Sequence, residues 1–220
     1  MNVILYGSSG MVGQGVLREC LLAADVHQVL LVGRSSSGQH HPKLRELVRP
    51  DLSNYAGSAS DLGGYDACFF CLGVSAAGLA EADYHRVTYG FTLAAAEALV
   101  ELNPGMTFIY VSGAGTDSTE QGRTMWARVK GRTENALLRL PFKAVYLFRP
   151  AGIRPLHGIT SKTRAYRIGY RLFGPLLPLL ARFPSFMTTT ERIGRAMLKA
   201  ARMGAPKAVL ESRDIHELGA

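Results

Sequence analysis

The chain has 220 residues, of which 47% are hydrophobic and 19% charged, a composition that supports a packed core and excludes wholesale disorder. Its formal net charge is +8, but the basic residues are spread along the sequence without a block of like charges, which argues against a nucleic-acid partner. The start, MNVILYGSSG, lacks a basic and apolar leader, and two prolines interrupt the apolar stretch RLFGPLLPLLARF. Neither a signal peptide nor an integral membrane segment is therefore expected.

Short apolar runs that favour β-strands alternate along the chain with runs whose apolar residues recur at helical spacing. The predicted strands are NVILY, QVLLVGR, YDACFFCLG, MTFIYVSGAG, FKAVYLFRP and a final AVLES that closes the chain, while residues 44–48 fit a short helix or a strand. The predicted helices begin at Met11, run through ADYHRVTYGFTLAAAEALVELN, cover residues 127–139 and span TTTERIGRAMLKAARMG. The last of them is expected to be capped by Thr190 or a neighbouring threonine and to stop at Gly204.

Strands that are apolar throughout and alternate with helices indicate a parallel sheet covered on both faces. This predicts one α/β domain over residues 1–220, with a doubly wound, mostly parallel sheet of the Rossmann type. Residues 155–189 interrupt the alternation and are rich in proline, arginine and aromatic residues. We expect them to form a small carboxy-terminal cap that covers a substrate cavity or contacts a subunit, because Pro175 and Pro178 would break a membrane-surface helix.

The three cysteines are an odd number and fit the reducing cytoplasm. Cys68 and Cys71 form a CxxC pattern, but it lies inside the apolar run DACFFCLG. A redox-active pair normally begins a helix, whose dipole lowers the pKa of the thiol. Buried strand thiols are therefore favoured over a redox motif, and no metal site is predicted.

A glycine pattern stands directly between the first predicted strand and the first predicted helix. It comprises Gly7, Ser8, Ser9, Gly10, Met11, Val12 and Gly13, and reads GxxGxxG. Gly7 permits a tight turn, Gly10 lets the backbone approach a diphosphate, and Gly13 allows close packing of helix on strand. The helix then offers unpaired N–H groups and its positive dipole end to the phosphates. The loop is predicted to bind a dinucleotide.

The residues at the end of the second strand indicate whether NAD(H) or NADP(H) is preferred. Enzymes that use NAD place an Asp or Glu about 20 residues past the glycines, where it holds the ribose 2′-hydroxyl. Here Arg34 follows the strand, with Ser35 next to it and no carboxylate. An arginine can stack on adenine and pair with a 2′-phosphate, so NADP(H) is favoured over NAD(H).

On these residues the chain resembles the short-chain dehydrogenase/reductase superfamily. It is most similar to the atypical members that are NAD(P)-binding and epimerase/dehydratase-like, such as the Tat-interacting-protein-like small oxidoreductases. The resemblance covers most of the chain, and its residues are the glycine loop, Arg34, Asp51, Leu52, Cys71, Leu72, Gly73, Ser112, Lys130, Arg149 and Pro150.

The resemblance implies positions around the cofactor. Asp51 and Leu52 would border the adenine, and Cys71–Gly73 would line the adenosine ribose and the diphosphate. Pro150–Ile153 would lie beside the nicotinamide. Since the family often pairs its subunits, a homodimer is a further expectation.

In the family, a serine orients the substrate carbonyl, a tyrosine exchanges the proton, and a lysine lowers the pKa of the tyrosine and holds the ribose. Ser112 matches the serine and Lys130 the lysine. Trp126 stands where the tyrosine is expected, four residues before Lys130. An indole N–H does not exchange its proton near neutral pH, so this chain lacks the usual acid.

Several other side chains are candidates for supplying the proton. They are Tyr84, His85, Tyr89, Tyr110, His157, Tyr166 and Tyr170. Tyr110 lies inside a predicted strand and is expected in the core. His157 is chemically attractive because imidazole titrates near neutrality, although a structural histidine is the commoner outcome.

Two functions remain open on the sequence alone. The first is an NADP(H)-dependent oxidoreductase or epimerase-like enzyme, acting in the cytoplasm on a small, apolar carbonyl compound. The second is a non-catalytic protein that senses NADP(H) and acts through a protein partner. A sugar-nucleotide epimerase is disfavoured because the tyrosine and a large carboxy-terminal substrate domain are missing.

Overall fold

Seven parallel strands form the central sheet of the computed structural model, which describes residues 1–160 and 187–220. Their order across the sheet is β3-β2-β1-β4-β5-β6-β9. They are β1 (Asn2–Tyr6), β2 (Gln28–Gly33), β3 (Leu44–Val48), β4 (Ala67–Phe70), β5 (Thr107–Val111), β6 (Ala144–Arg149) and β9 (Val209–Glu211). Two shorter strands, β7 (Gly152–Arg154) and β8 (Met187–Thr189), pair in parallel beside this sheet.

Helices connect the strands and cover both faces of the sheet. They are α1 (Met11–Leu22), α2 (Ala59–Leu62), α3 (Glu81–His85), α4 (Phe91–Leu102), α5 (Met125–Leu138), α6 (Thr190–Met203) and α7 (Ser212–Leu218). A π-helical turn (Arg86–Gly90) joins α3 to α4. The doubly wound α/β fold is thus confirmed, and every strand pair of the large sheet is parallel.

Each face of the sheet has its own buried cluster, because successive strand residues point to opposite faces. One cluster joins alternate residues of β1 and β4 to apolar residues of α1, α6 and α7, among them Val16, Ile193 and Ile215. The other joins the intervening strand residues to α4 and α5, through Leu99 and Leu137. Burial on both faces explains why the strands carry continuous apolar runs.

The strand order reverses between β1 and β4. From β1 the chain winds outward through β2 and β3, and from β4 it winds the other way through β5 and β6. The loops that leave the carboxyl ends of β1 and β4 therefore diverge and leave a crevice between them. In open α/β sheets this crevice is the usual position of a ligand.

Helices α1 and α6 approach closely because glycines face each other across the contact. A Cβ atom on Gly15 would lie 2.6 Å from the Cβ atom of Thr190, and one on Gly194 would lie 2.7 Å from Cγ of Glu19. Larger residues at either position would push the helices apart. The contact fixes α1, whose first turn faces the crevice.

The structure decides several local expectations and corrects one. Residues 44–48 form an edge strand, since they pair with β2. AVLES does not close the chain, because α7 follows it. The cap of α6 is Thr189, the threonine next to Thr190, which confirms the expected threonine cap: its hydroxyl accepts a hydrogen bond from Arg192 N over 3.1 Å. The helix ends at Gly204, with φ of 81°, as predicted.

Most of the predicted cap at residues 155–189 lies outside the described residues, which resume at Met187. The parts described are residues 155–160 and β8, which pairs with β7. No helix within residues 1–160 and 187–220 is both long enough and apolar enough to cross a membrane.

Candidate cofactor site

The turn between β1 and α1 is closed by its glycines. Gly7 has φ of 77°, a conformation that favours glycine, and its carbonyl oxygen accepts a hydrogen bond from Gly10 N over 2.9 Å. A Cβ atom on Gly13 would lie 2.1 Å from that same oxygen. The tight turn expected of Gly7 and the close packing expected of Gly13 are therefore both present.

Helix α1 begins without a side-chain cap. Gly10 is its N-cap residue, and no side chain among the described residues accepts a hydrogen bond from the first turn. That turn also contains no acidic residue. Ser9 is exposed, while Ser8, Met11 and Val12 are half-buried. The N–H groups and the positive dipole end of α1 can thus bind an anion such as a diphosphate.

The loop after β4 packs against this turn. A Cβ atom on Gly7 would lie 2.6 Å from the carbonyl carbon of Cys71 and equally close to Leu72 N. Cys71 N donates to the carbonyl oxygen of Tyr6 over 3.0 Å, and Gly73 beyond it is exposed. The structure therefore brings the glycine turn and Cys71–Gly73 together at the point where the strand order reverses.

Cys68 and Cys71 are free thiols. Burial raises the pKa of both, so the reactive thiolate is disfavoured. Cys68 lies inside β4 with no exposed surface. The expectation of a buried strand thiol is confirmed for Cys68, whereas Cys71 lies just after β4 and is half-buried.

Arg34 is exposed at the end of β2, and so is Ser35. The next two serines turn instead to a carboxylate on β3, which the sequence did not indicate. Ser37 N donates to Oε1 of Glu46 over 2.9 Å, and the hydroxyls of Ser36 and Ser37 donate to the same carboxylate. These hydrogen bonds lower the pKa of Glu46. The side chains of Arg34 and Ser35 are thus exposed to solvent, whereas the hydroxyls of Ser36 and Ser37 are engaged by Glu46.

Asp51 and Leu52 have ordinary structural surroundings. Asp51 is exposed, and its Oδ1 accepts from the Ser53 hydroxyl over 2.7 Å and from Ser53 N over 2.8 Å, which lowers the pKa of the carboxyl. Leu52 is buried in the same cluster as Tyr6. Their position beside an adenine stays a prediction.

Ser112 follows β5 and is buried. Its Oγ lies 2.5 Å from Oε1 of Glu134, a carboxylate that is 1% exposed. Glu134 in turn accepts from Arg149 Nε over 3.0 Å and forms a second, closer contact with the same guanidinium. Glu134 was not predicted from the sequence; it lies one helical turn after Lys130 on α5 and links Ser112 at the end of β5 to Arg149 on β6.

Lys130 lies on α5 beside Ser112. Its Nζ donates to the Ser112 carbonyl oxygen over 2.6 Å and lies 6.0 Å from the centre of the Tyr110 ring. Burial lowers the pKa of Lys130 to about 8, and the nearby charge of Glu134 acts in the opposite direction. The structure therefore brings together Ser112 and Lys130, the two residues that the resemblance matched to catalytic positions.

Trp126 is half-buried at the start of α5. A Cβ atom on Gly115 would lie 3.6 Å from Cη2 of the indole, so the ring covers the loop after β5. Trp126 thus packs one turn before Lys130, on the loop that also contains Ser112. The indole gives this position an apolar ring with no exchangeable acid.

Other proton donors considered from the sequence have varied surroundings. Tyr84 and Tyr110 are 1% exposed, and burial raises the pKa of each, which confirms that Tyr110 belongs to the core. His85 stacks on Tyr89 with ring centres 4.7 Å apart. The Tyr89 ring also contacts Arg132. Residues 166 and 170 lie outside the described residues.

His157 lies at the beginning of the predicted cap and has φ of 56°. Its Nε2 lies 2.5 Å from a carboxylate oxygen of Glu191, which also pairs with Arg195 over 2.7 Å. The hydrogen bond from His157 lowers the pKa of Glu191. The imidazole therefore has a structural partner on α6.

Pro150 and Ile153 follow β6. Pro150 is buried, and its carbonyl oxygen accepts from Ala114 N over 3.0 Å, which ties the loop after β5 to the end of β6. Ile153 is half-buried in β7. Their position beside a nicotinamide stays a prediction.

No protein-family profile matches the chain. Among curated relatives, the fmp52-2 protein of Aspergillus oryzae, which is named a mitochondrial protein, is 26% identical over 225 residues. This match covers 98% of the chain and 95% of the relative.

Solved structures of similar fold belong to dehydrogenases and dehydratases. An oxidoreductase of the short-chain dehydrogenase/reductase family from Burkholderia thailandensis aligns with a TM-score of 0.65 and 14% identity, over 92% of the chain and 85% of that protein. The dTDP-glucose 4,6-dehydratase DesIV from Streptomyces venezuelae, solved with bound NAD, aligns with a TM-score of 0.69 and 15% identity, over 96% and 74%. The chain has the fold of the epimerase/dehydratase-like short-chain dehydrogenases/reductases.

Proposed function

We propose that this chain binds NADP(H) at the glycine turn and acts as an oxidoreductase on a small, apolar carbonyl compound. The observation that carries the proposal is the contact between the turn at Gly7 and the loop at Cys71 and Leu72, beside the uncapped start of α1. This arrangement offers backbone N–H groups to a diphosphate in the crevice where such folds bind ligands. The NAD bound in DesIV, a protein of similar fold, supports a nicotinamide dinucleotide.

The residues fit such a cofactor. A Cβ atom on Gly7 or Gly13 would lie 2.6 or 2.1 Å from backbone atoms, so only glycine fits at these two positions of the turn. No side chain among the described residues caps the N–H groups at the start of α1. Arg34, exposed at the end of β2, would pair with the 2′-phosphate and Ser35 would add a hydroxyl. Lys130 would hold the ribose through the ammonium protons that Ser112 does not accept.

When bound, the cofactor supplies the hydride for a carbonyl reduction. The chain supplies orientation and an apolar surface, since Trp126 covers the loop after β5. In the resemblance, Ser112 orients the carbonyl of the substrate. The segment at residues 155–189 remains the predicted substrate cap.

The proposal is tested by the oxidation of NADPH in the presence of aldehydes and quinones, followed at 340 nm. NADH under the same conditions is the control for cofactor preference. We expect slow turnover of apolar acceptors with NADPH, because loss of one general acid lowers a rate by about 10²–10⁴-fold without abolishing hydride transfer. Turnover at equal efficiency with NADH would contradict the assignment of NADP(H).

One observation favours the sensor as a second candidate function. The indole of Trp126 replaces the expected phenol, so the loop after β5 has an apolar cover in place of an acid. A protein that binds NADPH and turns over no acceptor, yet captures a protein partner only when NADPH is present, would establish this function. Such an outcome would leave the cofactor site intact.

The compartment and the assembly are also part of the proposal. The three free thiols support a reducing compartment, and the cytoplasm is the one predicted. The relative from Aspergillus oryzae is named mitochondrial, so fractionation of cells is the direct test. A homodimer is proposed from the resemblance, and light scattering of the purified protein tests it.

A further inference from the structure

Ser112 is held from three sides by other elements. Its backbone N donates to the Phe148 carbonyl oxygen on β6 over 2.9 Å. Its own carbonyl oxygen accepts from Nζ of Lys130, and its hydroxyl oxygen lies 2.5 Å from Glu134. Lys130 and Glu134 are one turn apart on α5, so this helix forms hydrogen bonds with Ser112 at two points.

The hydroxyl proton of Ser112 is engaged by Glu134. A serine hydroxyl has a single proton to donate, and a serine that orients a carbonyl must donate it to the carbonyl oxygen. Glu134 is also salt-bridged to Arg149, and a hydrogen bond to a carboxylate is stronger than one to a neutral oxygen. The other acceptor near this hydroxyl, the carbonyl oxygen of Phe148, is farther away at 3.3 Å.

We infer that Ser112 and Glu134 are positioning residues that fix the ammonium of Lys130, and that the Ser112 hydroxyl does not contact the substrate. The hydrogen bond from the Ser112 hydroxyl to Glu134 holds the Ser112 peptide in place. The carbonyl oxygen of that peptide accepts the hydrogen bond from the Lys130 ammonium. The inference rests on the proposed function in one respect only, namely that the group which Lys130 holds is the ribose of the cofactor.

The surroundings of Lys130 suit this role. Within residues 1–160 and 187–220, the Ser112 carbonyl oxygen is the one hydrogen-bond acceptor of its ammonium. The groups facing it are the Tyr110 ring from β5 and the carboxylate of Glu134 from its own helix. Because this carboxylate is bound by Arg149 and Ser112, it does not draw Lys130 into an ion pair of its own.

The test is the titration of Lys130 in protein without cofactor, followed by NMR of lysine labelled with 15N at Nζ. The Lys130 signal is assigned by its loss in Lys130→Arg. In Ser112→Ala the peptide loses its side-chain anchor, the hydrogen bond to the ammonium weakens, and the pKa of Lys130 falls by about half a unit or more. Ser112→Thr retains a hydroxyl and keeps the wild-type midpoint.

Two further variants sharpen the result. Glu211→Gln removes an exposed partner of Arg149, 3.4 Å away, without touching Ser112, and the Lys130 midpoint stays at its wild-type value. Glu134→Gln leaves the buried guanidinium of Arg149 without its main partner, so its folding is checked by circular dichroism first. If it folds, combining it with Ser112→Ala moves the midpoint no further than Glu134→Gln alone.

An unchanged Lys130 midpoint in Ser112→Ala overturns the inference. If carbonyl reduction by that variant also falls about 100-fold or more, the hydroxyl contacts the substrate, as the family resemblance implies. The titration needs no cofactor, so it stands even if NADPH fails to bind. Failure of the proposed function and failure of this inference are therefore separate outcomes.

Discussion

Gly13 lies against the carbonyl oxygen of Gly7, and a Cβ atom on Gly13 would come within 2.1 Å of it. The glycine turn after β1 and the first turn of α1 thus pack with their backbones in direct contact. We expect Gly13→Ala to destabilise the protein by about 1–3 kcal/mol, since the overlap with backbone exceeds the gain in helix propensity. Urea denaturation followed by circular dichroism measures the change.

Gly105→Ala is the matched control for that substitution. A Cβ atom on Gly105 has open space around it, and its backbone is outside the left-handed region. Its stability stays within about 0.5 kcal/mol of wild type. Equal denaturation midpoints for the two variants would show that the turn tolerates a side chain and that its glycine has no steric role.

Arg34→Ala is expected to weaken NADPH binding by about 10–100-fold and to leave NADH binding nearly unchanged. The reason is that a charged hydrogen bond to a phosphate contributes about 1.5–3 kcal/mol and NADH has no 2′-phosphate. Arg139→Ala is the charge control. Arg139 directly follows α5, the helix that leads into the amino end of β6, so it lies away from the crevice at the carboxyl ends of the strands. Fluorescence titration measures the dissociation constants of both nucleotides for wild type and the two variants. An equal loss for both nucleotides in Arg34→Ala would remove the 2′-phosphate as the partner of Arg34.

Trp126→Tyr places a phenol one turn before Lys130, whose ammonium stabilises a phenolate. We expect kcat for carbonyl reduction to rise by about 10²-fold or more, which is the ordinary contribution of one general acid. Trp126→Phe removes the indole without adding an acid and gives no gain. If kcat rose by the same factor in both variants, the cause would be the space left by the indole and not proton transfer from the phenol.

Lys130 gives the protein a pH dependence of stability. Its pKa is lowered to about 8 in the folded protein, so the unfolded chain, with the ordinary value of 10.5, binds more protons between these limits. The contribution of Lys130 to the free energy of unfolding therefore rises with pH across the window from about 8 to 10.5. Wild type gains stability relative to Lys130→Met across that window, by at most about 1.4 kcal/mol per pH unit. If the free energy of unfolding changed with pH in the same way for both proteins, the Lys130 side chain would be solvated in the folded protein.

The sequence predicted the sheet and the glycine turn because both depend on local patterns. Apolar runs identify strands buried on both faces, and the position of Gly7 between a strand and a helix identifies the turn. Residues 44–48 were ambiguous since an edge strand has a mixed pattern, and pairing with β2 decides it. Helix α7 was missed in a polar segment, although Glu211 and Asp214 form a capping box that signals its start.

The surroundings of Ser112 were beyond sequence reasoning. Glu134 and Arg149 are 22 and 37 residues away in the chain, and only the packing of α5 between β5 and β6 brings them to it. The same holds for Glu46, whose carboxylate reaches Ser36 and Ser37 because β3 lies beside β2. Contacts between distant side chains depend on the assembled fold and leave no periodic signal.

Calorimetric titration of the purified protein with NADPH tests most directly whether the backbone at the start of α1 binds a dinucleotide. The account predicts saturable binding to wild type. We expect binding to be at least about 10-fold weaker in Gly10→Ala, where the added Cβ atom would face the proposed diphosphate site and lie 3.4 Å from the Gly7 carbonyl oxygen, and to be unchanged in Gly105→Ala. No heat of binding at millimolar NADPH, or equal affinity in Gly10→Ala, would contradict it.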